Sequence, residues 1–311
     1  MDDFVIVTDA FCELNSKIRR EFNIDFIPGH ITFPDGSENH LTLDWSIIGK
    51  DDFYSAIKKD PESFTTAPAN VAEMAESFER YAREGRDILS ISISSAISGT
   101  YNFTLQAKKI VNEKYPGVKI LCIDSLRYGP AFGLMCMKAS RMRREGKSID
   151  EVGEFLESNK SIFRQSGWLD DLSFVAKKGR LANSKAFFGQ LIGMKPIAEL
   201  SETGLPTVIG TIKGEKLAWQ VVMDYMESTI VDPQSQDILL CNSKREKQIE
   251  YFKQMIQDRF TPRAIYETEL FCGCGVNMGP GLMAAYYIGQ PISRDLENER
   301  KLLQDIIERN R

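Results

Sequence analysis

The feature that most constrains this chain is a repeated alternation in its first half. Short β-branched or aliphatic runs are each followed by a longer stretch with helical spacing. FVIVT at 4–8, DFIP at 25–28 and HITF at 30–33 read as extended pieces, with PDGS at 34–37 as a turn. Residues 88–93 and 118–124 read as further strands. Helical patterns occupy 51–59, 71–84, 100–115, 130–145 and 150–165, with Gly85 and Gly146 behind two of them. Strands and helices in this order imply a parallel sheet covered on both faces. Within 88–93, Leu89, Ile91 and Ile93 point one way and Ile88, Ser90 and Ser92 the other. The serines thin that face, so a covering helix can lie close. The helix at 100–115 sets Phe103, Ala107, Ile110 and Val111 on one side.

The second half differs in texture. Residues 195–200, a turn at 201–204 and residues 205–211 suggest an antiparallel hairpin. A helix is expected at 214–228, a strand at 238–241, a helix at 243–258, a strand at 263–269 and an apolar helix at 282–288. From Ser293 to Arg311, a charged segment with the stripe Leu296, Leu303, Ile306 and Ile307 reads as a helix packed on the surface. The 311 residues suffice for two units. The expected division is a parallel α/β unit over 1–163 and a mixed α/β unit over 164–311, with a largely antiparallel sheet and the terminal helix.

With 39 basic and 44 acidic residues the net charge is −5, which gives no reason to expect a nucleic-acid or anionic-membrane surface. No apolar run approaches the ~20 residues that span a bilayer, and MDDFVIVTDAF has neither the basic lead nor the apolar core of a signal peptide. A soluble, cytoplasmic protein with no transmembrane segment is expected. Cys12, Cys122, Cys136, Cys241, Cys272 and Cys274 are scattered through mostly apolar contexts, which suits buried thiols. Cys272 and Cys274 are the one close pair, but a zinc site needs two more ligands, and the histidines are only His30 and His40.

Four loops carry chemistry-bearing residues. SSAISGT at 94–100 follows a strand and opens a helix, offering hydroxyls, backbone N–H groups and a positive dipole end. That suits a carboxylate or phosphate beyond the carboxyl end of a parallel strand. Neither GxxxxGK[ST] nor GxSxG occurs, so this is neither a P-loop nor a nucleophile elbow. A cap by Ser98 or Thr100 would explain one hydroxyl, not the cluster. FTTAP at 64–68 is extended before its proline. CGCGVNMGPG at 272–281 holds four glycines, a density that implies close backbone approach. KKGR at 177–180 sets basic groups beside a glycine.

In order along the chain, IVTD at 6–9, TTAP at 65–68, ISISSAISGTY at 91–101, IDS at 123–125, KGR at 178–180, KPI at 195–197 and NMGPG at 277–281 resemble the motifs of the DegV family of fatty-acid-binding proteins. The resemblance covers about residues 3–290. It implies a two-domain DegV-like fold enclosing one long-chain fatty acid, with the carboxylate at the motif loops and the acyl chain in an internal tunnel. It implies no cofactor and no chemistry by the protein itself, which would present the acid to a partner fatty acid kinase. By motif position, Thr66 and Ser98 would donate to the carboxylate, with Thr65, Ser95 and the Gly99 N–H beside them. Asn277 and Arg180 would be further head-group neighbours. Several positions depart from the family pattern: Asn277 replaces a histidine, Ala67 a glutamine, Lys178 a glycine, and Ala10 and Phe11 a serine and a threonine. Asparagine donates a hydrogen bond but carries no charge near neutral pH. The competing reading is a small-molecule hydrolase or transferase using Ser98 or Thr66 as nucleophile, for which no activating base is evident.

Overall fold

The structure, a computed structural model, describes residues 4–182 and 193–311. The first half runs β1 (Phe4–Asp9), α1 (Ser16–Phe22), β2 (Ile24–Ile27), β3 (His30–Thr32), β4 (Glu38–His40), α2 (Lys50–Lys59), β5 (Thr65–Ala67), α3 (Val71–Ala82), β6 (Asp87–Ser92), α4 (Thr100–Lys114), β7 (Ile120–Asp124), α5 (Pro130–Arg144) and α6 (Ile149–Ser158). The second runs β8 (Phe163–Leu169), α7 (Ser173–Lys177), β9 (Met194–Leu200), β10 (Pro206–Lys213), α8 (Glu215–Thr229), β11 (Asp237–Asn242), α9 (Glu246–Phe260), β12 (Ala264–Glu269), α10 (Cys272–Met278), β13 (Leu282–Ile288) and α11 (Glu297–Arg309).

One sheet has the order β2-β1-β6-β7, all parallel. A second has the order β12-β11-β13-β8, with β11 and β12 parallel and the other two pairings antiparallel. A β9–β10 hairpin and a small β4-β3-β5 sheet complete the strands. The helix α5 lies between the two large sheets and is buried on nearly every side, from Pro130 to Arg143. An all-round apolar helix has no solvent face to give. The outer face of the parallel sheet takes α3 and α4, and the outer face of the second sheet takes α8 and α9, with α11 packed on α8 and on β10 of the hairpin. Strand side chains alternate accordingly. Leu239, Cys241, Leu282, Ala284 and Tyr286 face the central core, while Ile238, Leu240, Met283, Ala285 and Tyr287 face the outer helices. All six cysteines are free and buried, as their contexts suggest. Among the described residues no helix is long and apolar enough to cross a membrane.

Three expectations need correction. The helix read at 150–165 ends at Ser158, and Phe163–Leu169 is a strand registered on β13. Gly167 marks the reason: a Cβ there would lie 2.1 Å from the Met283 carbonyl oxygen, so only glycine lets the neighbouring strand approach. The glycine-rich loop and the apolar run at 282–288 exchange roles, since Cys272–Met278 is helical and Leu282–Ile288 is a strand. A seven-residue apolar run buried on both faces has no period that separates helix from strand. Finally, α4 buries Thr100, Thr104, Ala107 and Val111, and Ile110 stays 40% exposed. Ser90 and Ser92 do thin the facing sheet, so Thr104 and Ala107 are buried there while Phe103 packs only partly buried at the margin.

Candidate functional site

In the parallel sheet, β1 leads to β2 on one side and pairs with β6 on the other, so the crevice beyond β1 and β6 is a topological switch point. Two carboxylates shape it. The Asp9 carboxylate, at the end of β1, accepts from the Phe11 N–H at 3.0 Å and the Ile93 N–H at 2.9 Å. Burial pushes its pKa up to about 7, against the lowering effect of those two N–H groups. Asp124, at the end of β7, accepts from the N–H groups of Ser95 and Leu126, each at 3.1 Å. The serine loop is therefore held from both sides. Ser94 is fully buried, and its carbonyl accepts from the N–H groups of Ile97 and Ser98 at 3.0 and 3.1 Å. This turn delivers Ser98 and Gly99 to the start of α4.

The resulting pocket is lined by Phe11, Thr66, Pro68, Ile93, Ile97, Ser98, Gly99, Tyr128, Arg180 and Asn277. Five residues singled out by sequence thus converge from four separate loops: Thr66, Ser98, Gly99, Arg180 and Asn277. Thr65 and Ser95 are exposed and do not line it. Thr66 sits half-buried on the edge strand β5, opposite Ile31. The Ser98 hydroxyl lies 2.8 Å from that of Thr100. Gly99 precedes the first turn of α4, whose leading N–H groups have no intrahelical acceptor. The Asn277 amide donates weakly, at 3.4 Å, to the Gly273 carbonyl. Arg180 brings the guanidinium of this lining and donates to the Lys178 carbonyl. Gly279 and Gly281 have φ of +72° and +99°, and a Cβ on either would strike Phe174 or Asp170. The glycine density therefore serves close packing of this loop on α7 and the end of β8.

A second pocket adjoins the first. Its walls are mostly apolar and include Leu169, Leu172, Val175, Pro196, Ala198 and Leu282. Tyr128 lines both pockets. Its hydroxyl is buried with no oxygen or nitrogen partner among the described residues, the Cys274 thiol being its polar neighbour.

A family model described as "Uncharacterised protein, DegV family" matches residues 3–290. The chain belongs to the DegV family. A DegV domain-containing protein of Clostridium perfringens is 29% identical over 289 residues, covering 93% of this chain and 98% of the relative. The solved structure described as "Fatty Acid Binding of a DegV family Protein from Thermus thermophilus" matches with a TM-score of 0.81 at 21% identity, over 93% of this chain and 100% of that one. The Streptococcus pneumoniae Fatty Acid Kinase (Fak) B3 protein loaded with linoleic acid matches with a TM-score of 0.76 at 21% identity, over 92% and 99%. These likenesses establish the DegV fold.

Sequence reasoning missed Tyr128, Ile93, Ile97 and Pro68 as lining residues of this DegV-family pocket, and the bracing role of Asp9 and Asp124. Pro68 closes a motif that was already in view, and the two aspartates end quoted strands. Tyr128 follows the IDS motif by three residues without a signal of its own.

Proposed function

We propose that this chain binds one long-chain fatty acid between its halves, 1–163 and 164–311. The carboxylate sits in the pocket of Thr66, Ser98 and the Gly99 N–H, flanked by Arg180 and Asn277, with Thr65 and Ser95 just outside. The acyl chain passes Tyr128 into the apolar pocket. The observation that carries this reading is that Tyr128 walls a polar and an apolar pocket at once. A molecule with an anionic head and a greasy tail fits that junction, and its head can satisfy the orphaned hydroxyl. Several donors together offset the dehydration of a carboxylate. Each buried CH₂ adds about 0.8 kcal/mol. The solved relatives that carry fatty acids support the same ligand class. The chain acts as a cytoplasmic carrier that presents the acid to a partner acyl kinase, in keeping with the Fak B3 neighbour. The partner of the Ser98 hydroxyl is another hydroxyl, which is no general base, and this favours binding over turnover.

Native mass spectrometry of the purified chain should show an acyl ligand, and its absence at every charge state would remove the proposal. Ser98→Ala should weaken fatty-acid affinity by about 1–3 kcal/mol, the range for removing one donor from a buried charged group. Calorimetric titration reads this directly, and an unchanged affinity excludes Ser98 as a donor. Ala198→Phe adds bulk to the apolar wall and should shift the co-purifying acids toward shorter chains. An unshifted distribution would place the tail elsewhere.

A further inference from the structure

The chain has two histidines, and they meet. β3 and β4 pair His30 directly with His40, so the two side chains share one sheet face, with ring centroids 5.1 Å apart. The first turn of α3 brings Glu73 to the same place, its Oε2 being 2.9 Å from His30 Nε2. One ligand atom from each of the three residues lies within 4.8 Å of the other two. Glu73 is held by a capping box: its carboxylate accepts from the Asn70 N–H at 2.7 Å while the Asn70 side chain accepts from the Glu73 N–H at 3.1 Å. Burial works to raise the pKa of this carboxyl, but the bonds from His30 and Asn70 outweigh it and hold it below its ordinary value. A plain ion pair accounts for His30 and Glu73. It does not account for His40, whose exposed ring lies against that of His30 without a hydrogen bond to it or to Glu73.

We propose that His30, His40 and Glu73 form a binding site for a divalent transition cation of the zinc type. Two imidazoles and a carboxylate are a zinc ligand set, whereas magnesium and calcium prefer oxygen alone. Bonds of about 2.0–2.2 Å at tetrahedral angles put ligand atoms roughly 3.4 Å apart. Reaching that spacing needs His40 to swing inward, which its exposed ring on a short edge strand permits, and the His30–Glu73 bond to open slightly. The ion takes the place of that bond, and water fills the fourth position. The site stands apart from the head-group pocket, but its frame reaches toward it. β3 pairs on its other side with β5, setting His30 opposite Ala67 and Ile31 opposite Thr66. An ion tying β3 and β4 to α3 therefore stiffens the small sheet on which Thr66 stands.

The test uses the full-length chain without an affinity tag, washed with chelator and titrated with zinc chloride near neutral pH. Calorimetry and thermal melts are read together. One zinc per chain should bind, with a rise in melting temperature that magnesium chloride does not give. His40→Ala, at an exposed position, should leave the metal-free melting temperature unchanged while lowering zinc affinity at least tenfold. His30→Gln should do the same to affinity. The proposal fails if no saturable zinc binding appears, or if His40→Ala binds zinc as tightly as the parent, which would put the ion on thiols or scattered carboxylates.

Discussion

Arg164→Met is expected to lower the unfolding free energy by about 3–5 kcal/mol, the range for stranding a buried charge partner. Arg164 is 2% exposed and sits where β8 faces α8. Its guanidinium donates to Glu199 at 3.1 Å, to the Tyr225 hydroxyl at 2.7 Å and to the Gln290 carbonyl at 3.1 Å, and lies 3.4 Å from Glu299. Glu199 and Glu299 are themselves 1% and 4% exposed. Methionine fills much of the volume but leaves two carboxylates buried without their cation. The double variant Arg164→Met/Glu199→Gln should recover part of the loss, because one of those charges is then gone. Urea unfolding of the parent and both variants measures this. A loss below about 1 kcal/mol for the single variant would show the cluster to be no more than a surface-strength pair.

Stability should fall as pH rises from about 5 to 8, by several kcal/mol. Burial raises the Asp9 carboxyl to about 7 and the Glu13 carboxyl to about 8. Glu13 is fully buried and accepts from the Phe271 and Cys274 N–H groups at 2.7 and 3.1 Å, which offset only part of its desolvation. Unfolded, both groups titrate near their ordinary values of 3.8 and 4.5. Between those values and 7–8 the folded chain therefore holds more protons than the unfolded chain. Stability is fully present below the unfolded pKa values and is lost as pH climbs through the folded ones. Carboxylates with lowered pKa, such as Glu151 at about 2, act only at the acid end and leave this window clear. Denaturation midpoints at several pH values give the slope, and Glu13→Gln should flatten it whatever its effect on absolute stability. A midpoint that climbs from pH 5 to 8 would mean that these carboxylates are not desolvated in the folded chain.

Much of the first half was readable because its signals are local. Val5, Val7, Leu89 and Ile91 alternate across one sheet, and Gly85 and Gly146 stand where helices stop. The loops that carry Thr66, Ser98, Gly99, Arg180 and Asn277 stand out by composition, and the resemblance to the DegV motifs singled out these residues within them. Other features depend on partners distant in sequence. The run at 282–288 has no distinguishing period, and only the pairing with β11 and β8 makes it a strand. Tyr128 acquires its place between two pockets through the chain reversal after β7, and the burial of Glu13 depends on α10 arriving from the other end of the chain. The meeting of His30 and His40 depends on the register of two three-residue strands, which no periodicity can set.

The apolar pocket has a further property that follows from its walls. Gln165, Gly167 and Leu169 of β8 form one side and Pro196, Ala198 and Leu200 of β9 the other. The two strands run side by side, yet among the described residues no main-chain ladder joins them. They are fastened instead by side chains, the Gln165 amide to the Ala198 carbonyl at 2.8 Å and, behind the pocket, Arg164 to Glu199. Such a lining behaves as a zip rather than a bored hole. No ladder hydrogen bond has to break for its two edges to separate, so under the proposed function the fit to different tails would be set by a handful of clasps that point mutations could tighten or loosen.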